Sequence, residues 1–141
     1  WVHAVSTWYM IGLIWFVQVV HYPLKSSVGE STFRDYQRLH VERTGWVVGP
    51  PMLLEAGTAA WLAAAPPVGI SHGLALFGVA LLGAVWIATA AFSVPAHGRL
   101  ADGYDQGVHR RLVQTNWIRT VGWSARGGIA IALIIGQTGT A

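Results

Sequence analysis

Two similar phrases decide the fold: HVERTGW at residues 40–46 and NWIRTVGW at residues 116–123. Each phrase opens a long apolar segment, and each is preceded by a short polar stretch. Before each polar stretch another apolar segment ends near a proline and a histidine, in HYP at residues 21–23 and in VPAH at residues 94–97. The chain is therefore predicted to use one helical hairpin twice.

The composition predicts a membrane protein. Hydrophobic residues make up 53% of the 141 residues and charged residues only 11%, whereas soluble domains carry roughly 25% charged residues. A membrane-spanning helix needs about 20 mainly apolar residues. Four segments qualify, at residues 1–22, 46–65, 72–94 and 117–136. We expect one all-α transmembrane domain over residues 1–141, an integral membrane four-helix bundle of two parallel helical-hairpin repeats.

The basic residues predict the topology. Seven of the nine lysine and arginine residues lie in two polar hairpins, residues 24–45 and 98–116, while the connection at residues 66–71 carries no charge. The positive-inside rule places both hairpins in the cytoplasm, as short amphipathic extensions of helices 2 and 4. A multi-pass protein of a bacterial inner membrane is expected, with both termini outside, the lipid bilayer as a partner and no nucleic acid. The absence of cysteine excludes disulfides and thiolate sites.

Helix 1 carries two side-chain stripes. Trp1, Trp8, Trp15 and Tyr22 recur every seven residues and form an aromatic stripe, which we expect to face outward. Polar side chains in a membrane normally face the bundle interior. A second stripe is therefore expected to point inward: His3, Thr7, Met10, Ile14, Gln18 and His21.

Ionisable groups at membrane depth are the strongest candidates for a site. Glu55 lies about 13 Å beyond Trp46 along a helix, near the middle of the bilayer, and should be protonated, hydrogen-bonded or paired. Arg126 lies inside helix 4 but about two turns shallower. Pro50-Pro51 is expected to kink helix 2 or break its hydrogen-bond ladder. Glu55 is then either a structural clasp or an acid that handles protons or binds a ligand.

The histidines form a weaker pattern. His21, His40, His97 and His109 all fall at the cytoplasmic end of the predicted helices, near Asn116. Imidazoles on facing helices can hold haem, a pigment or a metal. No tight spacing of metal ligands accompanies them, so interfacial hydrogen bonding is the alternative, and no metal site is assigned.

Two arginines stand in matching positions of the repeated phrase, Arg43 and Arg119. Each is expected either to anchor at the lipid headgroups or to point into the pocket and bind an anionic or phenolate group. No phosphate-binding loop, nucleotide fingerprint or Ser-His-Asp arrangement occurs in the sequence.

The chain resembles the anthrone-oxygenase-like family of small four-helix bacterial membrane proteins, most of them of unknown function. The resemblance is carried by Val-Pro at residues 94–95 with Arg-Leu at residues 99–100, by residues 116–120, and by the echo at residues 40–44. It implies a four-helix membrane fold and, in some relatives, oxidation of aromatic polyketides.

Two functions follow from these features. The first is a non-catalytic accessory subunit that docks in a larger membrane complex, such as a photosynthetic or respiratory one, or in a homo-oligomer. The second is a membrane oxidoreductase or oxygenase for a hydrophobic aromatic or quinone-like substrate, with His40 or Glu55 as proton acceptor. Its pocket is expected between the hairpins, lined by Tyr36, His40, Glu55, His97, His109 and Asn116.

Overall fold

Four long helices make up the computed structural model, which describes residues 1–138. They are α1 (Val2–Ser27), α2 (Glu30–Ala64), α3 (His72–Ala101) and α4 (Gln106–Thr138). No strand occurs among these residues. Each helix is long and apolar enough to cross a membrane. The all-helical fold and the four long apolar helices are therefore confirmed.

The four helices pack side by side in a closed square. α1 packs against α2 and α4, and α3 packs against the same two helices, so α1 and α3 lie on one diagonal and α2 and α4 on the other. Apolar side chains fill the centre of this square, with Met10, Phe33, Leu100, Leu112 and Trp123 all fully or almost fully buried. Polar groups that lie between helices are consequently shielded from the surroundings of the bundle.

Helix α2 is longer than a membrane is thick. Its 35 residues span about 52 Å, whereas the hydrocarbon core of a bilayer is about 30 Å thick. The helix is continuous through Pro50-Pro51. Both prolines lack a backbone N–H group, so they interrupt the hydrogen-bond ladder without ending the helix. α1 and α3 both pack against α2.

Two π-helical turns shape α1 and α3. One covers Val17–His21 and the other Thr89–Ser93, and each ends two residues before a proline, Pro23 or Pro95. The N–H groups that follow these turns donate to carbonyl groups five residues back. Proline has no N–H group to donate to the carbonyl four residues before it. The hydrogen-bond ladder is therefore already interrupted here, and a wider π turn can form at this point.

The π turn in α1 changes which side chains face the interior. Trp1, Trp8 and Trp15 are exposed as expected, but Tyr22 is only 4% exposed. The wider turn inserts one residue into the helical register. Tyr22 therefore takes the inward position predicted for His21, and His21 itself is half-buried. The predicted place of Tyr22 in the outward stripe is wrong. Of the inward stripe, Thr7, Met10, Ile14 and Gln18 are buried as expected.

Close approach of α4 to its neighbours depends on two glycines. A Cβ atom at Gly122 would lie 2.5 Å from Val85 Cγ2 of α3, and one at Gly127 would clash with Ile11 Cδ1 of α1. Only a residue without a side chain fits at these distances. These contacts bring α4 near enough to share polar side chains with the other helices.

Candidate functional site

Three imidazoles and two phenols meet at the end of the bundle that carries the basic stretches. We call this group the inner cluster: His21, Tyr22, Tyr36, His40 and His97. His21 Nε2 and His40 Nδ1 lie 2.9 Å apart, and the ring centroids of His40 and His97 lie 5.1 Å apart. The Tyr36 ring is stacked almost parallel to that of His40. The structure thus brings together three of the four histidines selected from the sequence.

A hydrogen-bonded chain connects this cluster to a buried lysine. Lys25 Nζ donates to Gln37 Oε1 at 2.7 Å, so the other end of the amide, Nε2, donates to His97 Nδ1 at 3.0 Å. A neutral His97 then carries its proton on Nε2, which lies 2.8 Å from the Tyr22 hydroxyl. Lys25 therefore sets the tautomer of His97 through Gln37 and directs its N–H toward Tyr22.

A second polar network joins α1, α3 and α4 beside the cluster. Asn116 Nδ2 donates to Gln18 Oε1 at 2.9 Å, and Arg119 Nη1 donates to Asn116 Oδ1 at 3.0 Å and to Ser93 Oγ at 3.2 Å. The Arg119 guanidinium also lies 5.4 Å from the centroid of the Trp123 ring. These residues are buried, so Asn116 positions the arginine inside the bundle.

His109 is buried but holds a different place. Its Nε2 donates to the backbone carbonyl of Tyr22 at 2.7 Å, and its Nδ1 lies 3.3 Å from the Tyr104 hydroxyl. Neither ring nitrogen bonds to a side chain of the inner cluster. His109 fixes the backbone at Tyr22, so it supports the cluster from behind.

The two arginines of the repeated phrase are placed differently. Arg119 is 7% exposed and lies inside the bundle, whereas Arg43 is exposed on the surface of α2. Arg43 therefore stands outside the inner cluster, and the second cation inside this half of the bundle is Lys25.

Glu55 belongs to a separate buried group, which we call the Glu55 clasp. Thr7 Oγ1 and Arg126 Nε both donate to Glu55 Oε1 at 2.9 Å, and Trp123 Nε1 donates to Oε2 at 2.9 Å. Arg126 Nη1 also donates to the carbonyl of Gly78. These bonds join α1, α2, α3 and α4 at one point, so the carboxylate is paired inside the bundle.

The Glu55 clasp and the inner cluster lie at different depths. Glu55 and His40 are 15 positions apart on the continuous helix α2, which corresponds to about 22 Å. Arg126 nevertheless reaches Glu55 in an ion pair at 2.9 Å, because a long side chain covers the difference in depth expected from the sequence. The structure thus separates the predicted pocket residues. Glu55 lies in the clasp, three lie in the inner cluster (Tyr36, His40 and His97), and His109 and Asn116 lie outside both groups.

A groove on the surface of the bundle reaches one member of the inner cluster, His97. It has a volume of about 610 Å³, and its walls include Gln37, Val41, Val94 and His97. Arg34, Asp35 and Arg38 also line it. A ring-shaped molecule in this groove would have His97 and Gln37 as polar neighbours and valine side chains as apolar ones.

The arrangement supplies hydrogen bonds and proton transfer sites. No group of three or more His, Cys, Asp or Glu side chains within residues 1–138 is placed to hold a metal ion. His40 Nε2 takes no part in the hydrogen bonds that link His40 to His21 and Thr44. That nitrogen remains able to accept or donate a proton.

Lys25, Gln37, Gln18 and Tyr22 were missed as site residues in the sequence. Lys25 stands among charged residues in a polar stretch, which is typical of a surface position, yet it is fully buried. Tyr22 was placed on the outward stripe. A glutamine at positions 18 and 37 gives no signal of its own, although Gln18 lies on the stripe that was expected to face inward.

Fold and site together define a four-helix protein with three buried polar groups, one of which, the inner cluster, meets a groove at His97. Comparisons with protein-family models, with curated proteins and with solved structures find no match for the chain. The resemblance to the anthrone-oxygenase-like family therefore stays a prediction.

Proposed function

We propose that the protein is a multi-pass protein of a bacterial inner membrane, with the two basic stretches in the cytoplasm. The two hairpins would be copies of one unit, and the matching π turns ahead of Pro23 and Pro95 support this. Because the chain has no cysteine, single-cysteine variants test the topology. Val68→Cys should react with an impermeant reagent from outside and Arg111→Cys only after lysis; the reverse would refute the orientation.

We further propose that the inner cluster binds a hydrophobic aromatic or quinone-like molecule and that the protein acts on it as a membrane oxidoreductase. One observation carries this proposal. A cluster of three imidazoles and two phenols lies within the bundle, where polar groups are costly, and a groove of about 610 Å³ with apolar and charged walls reaches its His97. A purely structural polar contact would need no such access.

The chemistry follows from the groups at the end of the groove. Oxidation of a hydroquinone to a quinone removes two electrons and two protons. His97 and His40 can relay the protons from the ring oxygens, while the electrons pass to an oxidant from outside the chain. With dioxygen as oxidant, both electrons and both protons end in hydrogen peroxide, so the reaction balances. The role of the protein is to bind and orient the ring and to move protons.

Binding of an alkyl-substituted benzoquinone tests this function. We expect saturable binding of the radiolabelled quinone to purified protein in detergent, measured by a scintillation proximity assay. His97→Leu should weaken it about tenfold, because a hydrogen bond to the ring oxygen is worth about 1.4 kcal/mol. His72→Leu removes an exposed histidine at the start of α3 and should bind as the wild type does. Absence of saturable binding, or equal losses in both variants, would reject the proposal.

A second function, that of an accessory subunit, is favoured by the aromatic face of α1 and α4. Trp15 and Trp117 are both exposed and contact each other edge to face, with ring centroids 5.6 Å apart. We propose this face as the surface that would dock in a larger membrane complex, such as a photosynthetic or respiratory one, or on a second copy of the chain. Native mass spectrometry after gentle extraction should then show a larger assembly; recovery of a free monomer alone would count against it.

A further inference from the structure

Two buried cations in the inner half of the bundle have no acidic partner. Lys25 is fully buried and Arg119 is 7% exposed. The single salt bridge among the described residues joins Arg126 to Glu55, in the clasp. Because a buried charge without a counter-charge is costly, an anion bound near these two groups would stabilise their charged forms.

The groups around Lys25 are neutral. Its Nζ donates to Gln37 Oε1 and lies 5.5 Å from the centroid of the Tyr22 ring and 5.9 Å from that of Tyr36. Aromatic faces attract a cation, but they do not neutralise it. The ammonium is thus held by one neutral amide and two aromatic rings, and no carboxylate contacts it.

Arg119 is also held by neutral groups. Its Nη1 bonds to Ser93 and Asn116, and its Nε is buried without a hydrogen-bond partner among residues 1–138. Guanidinium groups are usually matched by a carboxylate or phosphate in such positions. An acceptor is therefore missing from the neighbourhood of Arg119.

Both cations act on one place, the pair formed by Tyr22 and His97. Lys25 is linked to His97 by hydrogen bonds through Gln37. The positive charges of Lys25 and Arg119 both act electrostatically on the His97 ring. His97 and Gln37 line the groove together with two arginines and one aspartate, Arg34, Arg38 and Asp35. The path to the cluster therefore also carries a net positive charge.

We propose that the molecule bound in the groove is an acid and binds as its anion, as a phenolate or enolate, with its charged oxygen accepting the His97 Nε2–H that is otherwise directed at the Tyr22 hydroxyl. Lys25 and Arg119 provide the balancing charges without direct contact, since Gln37 stands between Lys25 and the groove. This deepens the proposed function and rests on it, because it names the class of substrate for the same site: acidic phenols and enols in preference to neutral quinones or ethers.

An alkyl nitrophenol and its methyl ether test this selectivity, because the phenolate is yellow whereas the phenol and the ether are not. We expect wild-type protein to bind the nitrophenol as the yellow phenolate in mildly acidic buffer, where the free compound is mostly the phenol. Lys25→Met should weaken its binding about tenfold and leave the ether unchanged. Arg119→Gln should act in the same direction, and Arg110→Gln, at an exposed position, should have no effect.

The outcomes separate the two proposals. If nitrophenol and ether bind equally well to the wild type, or Lys25→Met weakens both alike, the anion proposal is overturned while the site itself stands. If neither compound nor the quinone binds, the proposed function fails and the anion proposal with it. Folding is checked in parallel by thermal unfolding. Lys25→Met is expected to fold at least as stably as the wild type, because it removes an unbalanced buried charge.

Discussion

Arg126→Met is expected to destabilise the protein by about 3–5 kcal/mol, the usual cost of removing one partner from a buried ion pair. The variant leaves the Glu55 carboxylate fully buried, with hydrogen bonds from Thr7 and Trp123 but without its cation. It also removes the bond to the Gly78 carbonyl, which joins α3 to the clasp. Unfolding with increasing dodecyl sulfate in mixed micelles, followed by tryptophan fluorescence, measures the loss.

Glu55→Leu combined with Arg126→Met is the informative control. Because the double variant removes both charges, it should recover more than half of the stability that Arg126→Met loses. Arg111→Met, an exposed arginine on the same helix, should change stability by about 0.5 kcal/mol or less. If the two clasp substitutions have simply additive effects, Glu55 and Arg126 are not a coupled pair, and the clasp is not what joins the four helices.

The helices could be predicted because hydropathy over about 20 residues is a strong signal. The helical ladder, however, does not stop where the apolar residues stop. α2 begins at Glu30 and α4 at Gln106, before the apolar segments at residues 46 and 117, because backbone hydrogen bonds continue through the polar residues of the predicted amphipathic extensions. Hydropathy thus marks the apolar part of each helix and leaves its true ends open.

The inward face could be predicted only as far as the first irregular turn. A regular helix of about 100° per residue places Tyr22 with the tryptophans and His21 inside, and the π turn at Val17–His21 reverses the two. The sequence does contain the cause, since Pro23 follows two residues later. The sequence does not predict whether a proline produces a kink, as expected for Pro50, or a π turn.

The partners of buried ionisable groups depend on side-chain reach, which periodicity does not describe. Glu55 was expected to need a partner, and Arg126 was the one cation within the membrane helices, but backbone depth alone placed it two turns away. Lys25 is the opposite case. It lies in a basic stretch, and its burial follows from a 3-10 turn at Lys25–Ser27 and from packing against Tyr22 and Tyr36.

Asn116→Leu is expected to cost about 2–4 kcal/mol, because Asn116 supplies partners to two buried groups. It gives Arg119 its Oδ1 acceptor and donates its amide to Gln18. A hydrogen bond to a charged group contributes about 1.5–3 kcal/mol and a neutral one about 0.5–1.5 kcal/mol. Thermal unfolding in detergent and the same dodecyl sulfate titration measure the loss, with Gln114→Leu, at an exposed position of α4, as the control.

Asn116→Asp separates the loss of a hydrogen bond from the charge of Arg119. The aspartate keeps an acceptor for the guanidinium and adds the counter-charge that Arg119 lacks, while it gives up the donor to Gln18. We therefore expect the wild type to be the most stable, Asn116→Asp to be less stable and Asn116→Leu to be the least stable. We also expect Asn116→Asp to bind the nitrophenolate more weakly than the wild type, because the aspartate now balances the positive charge of Arg119. Unchanged phenolate binding in Asn116→Asp would show that Arg119 does not act on the ligand.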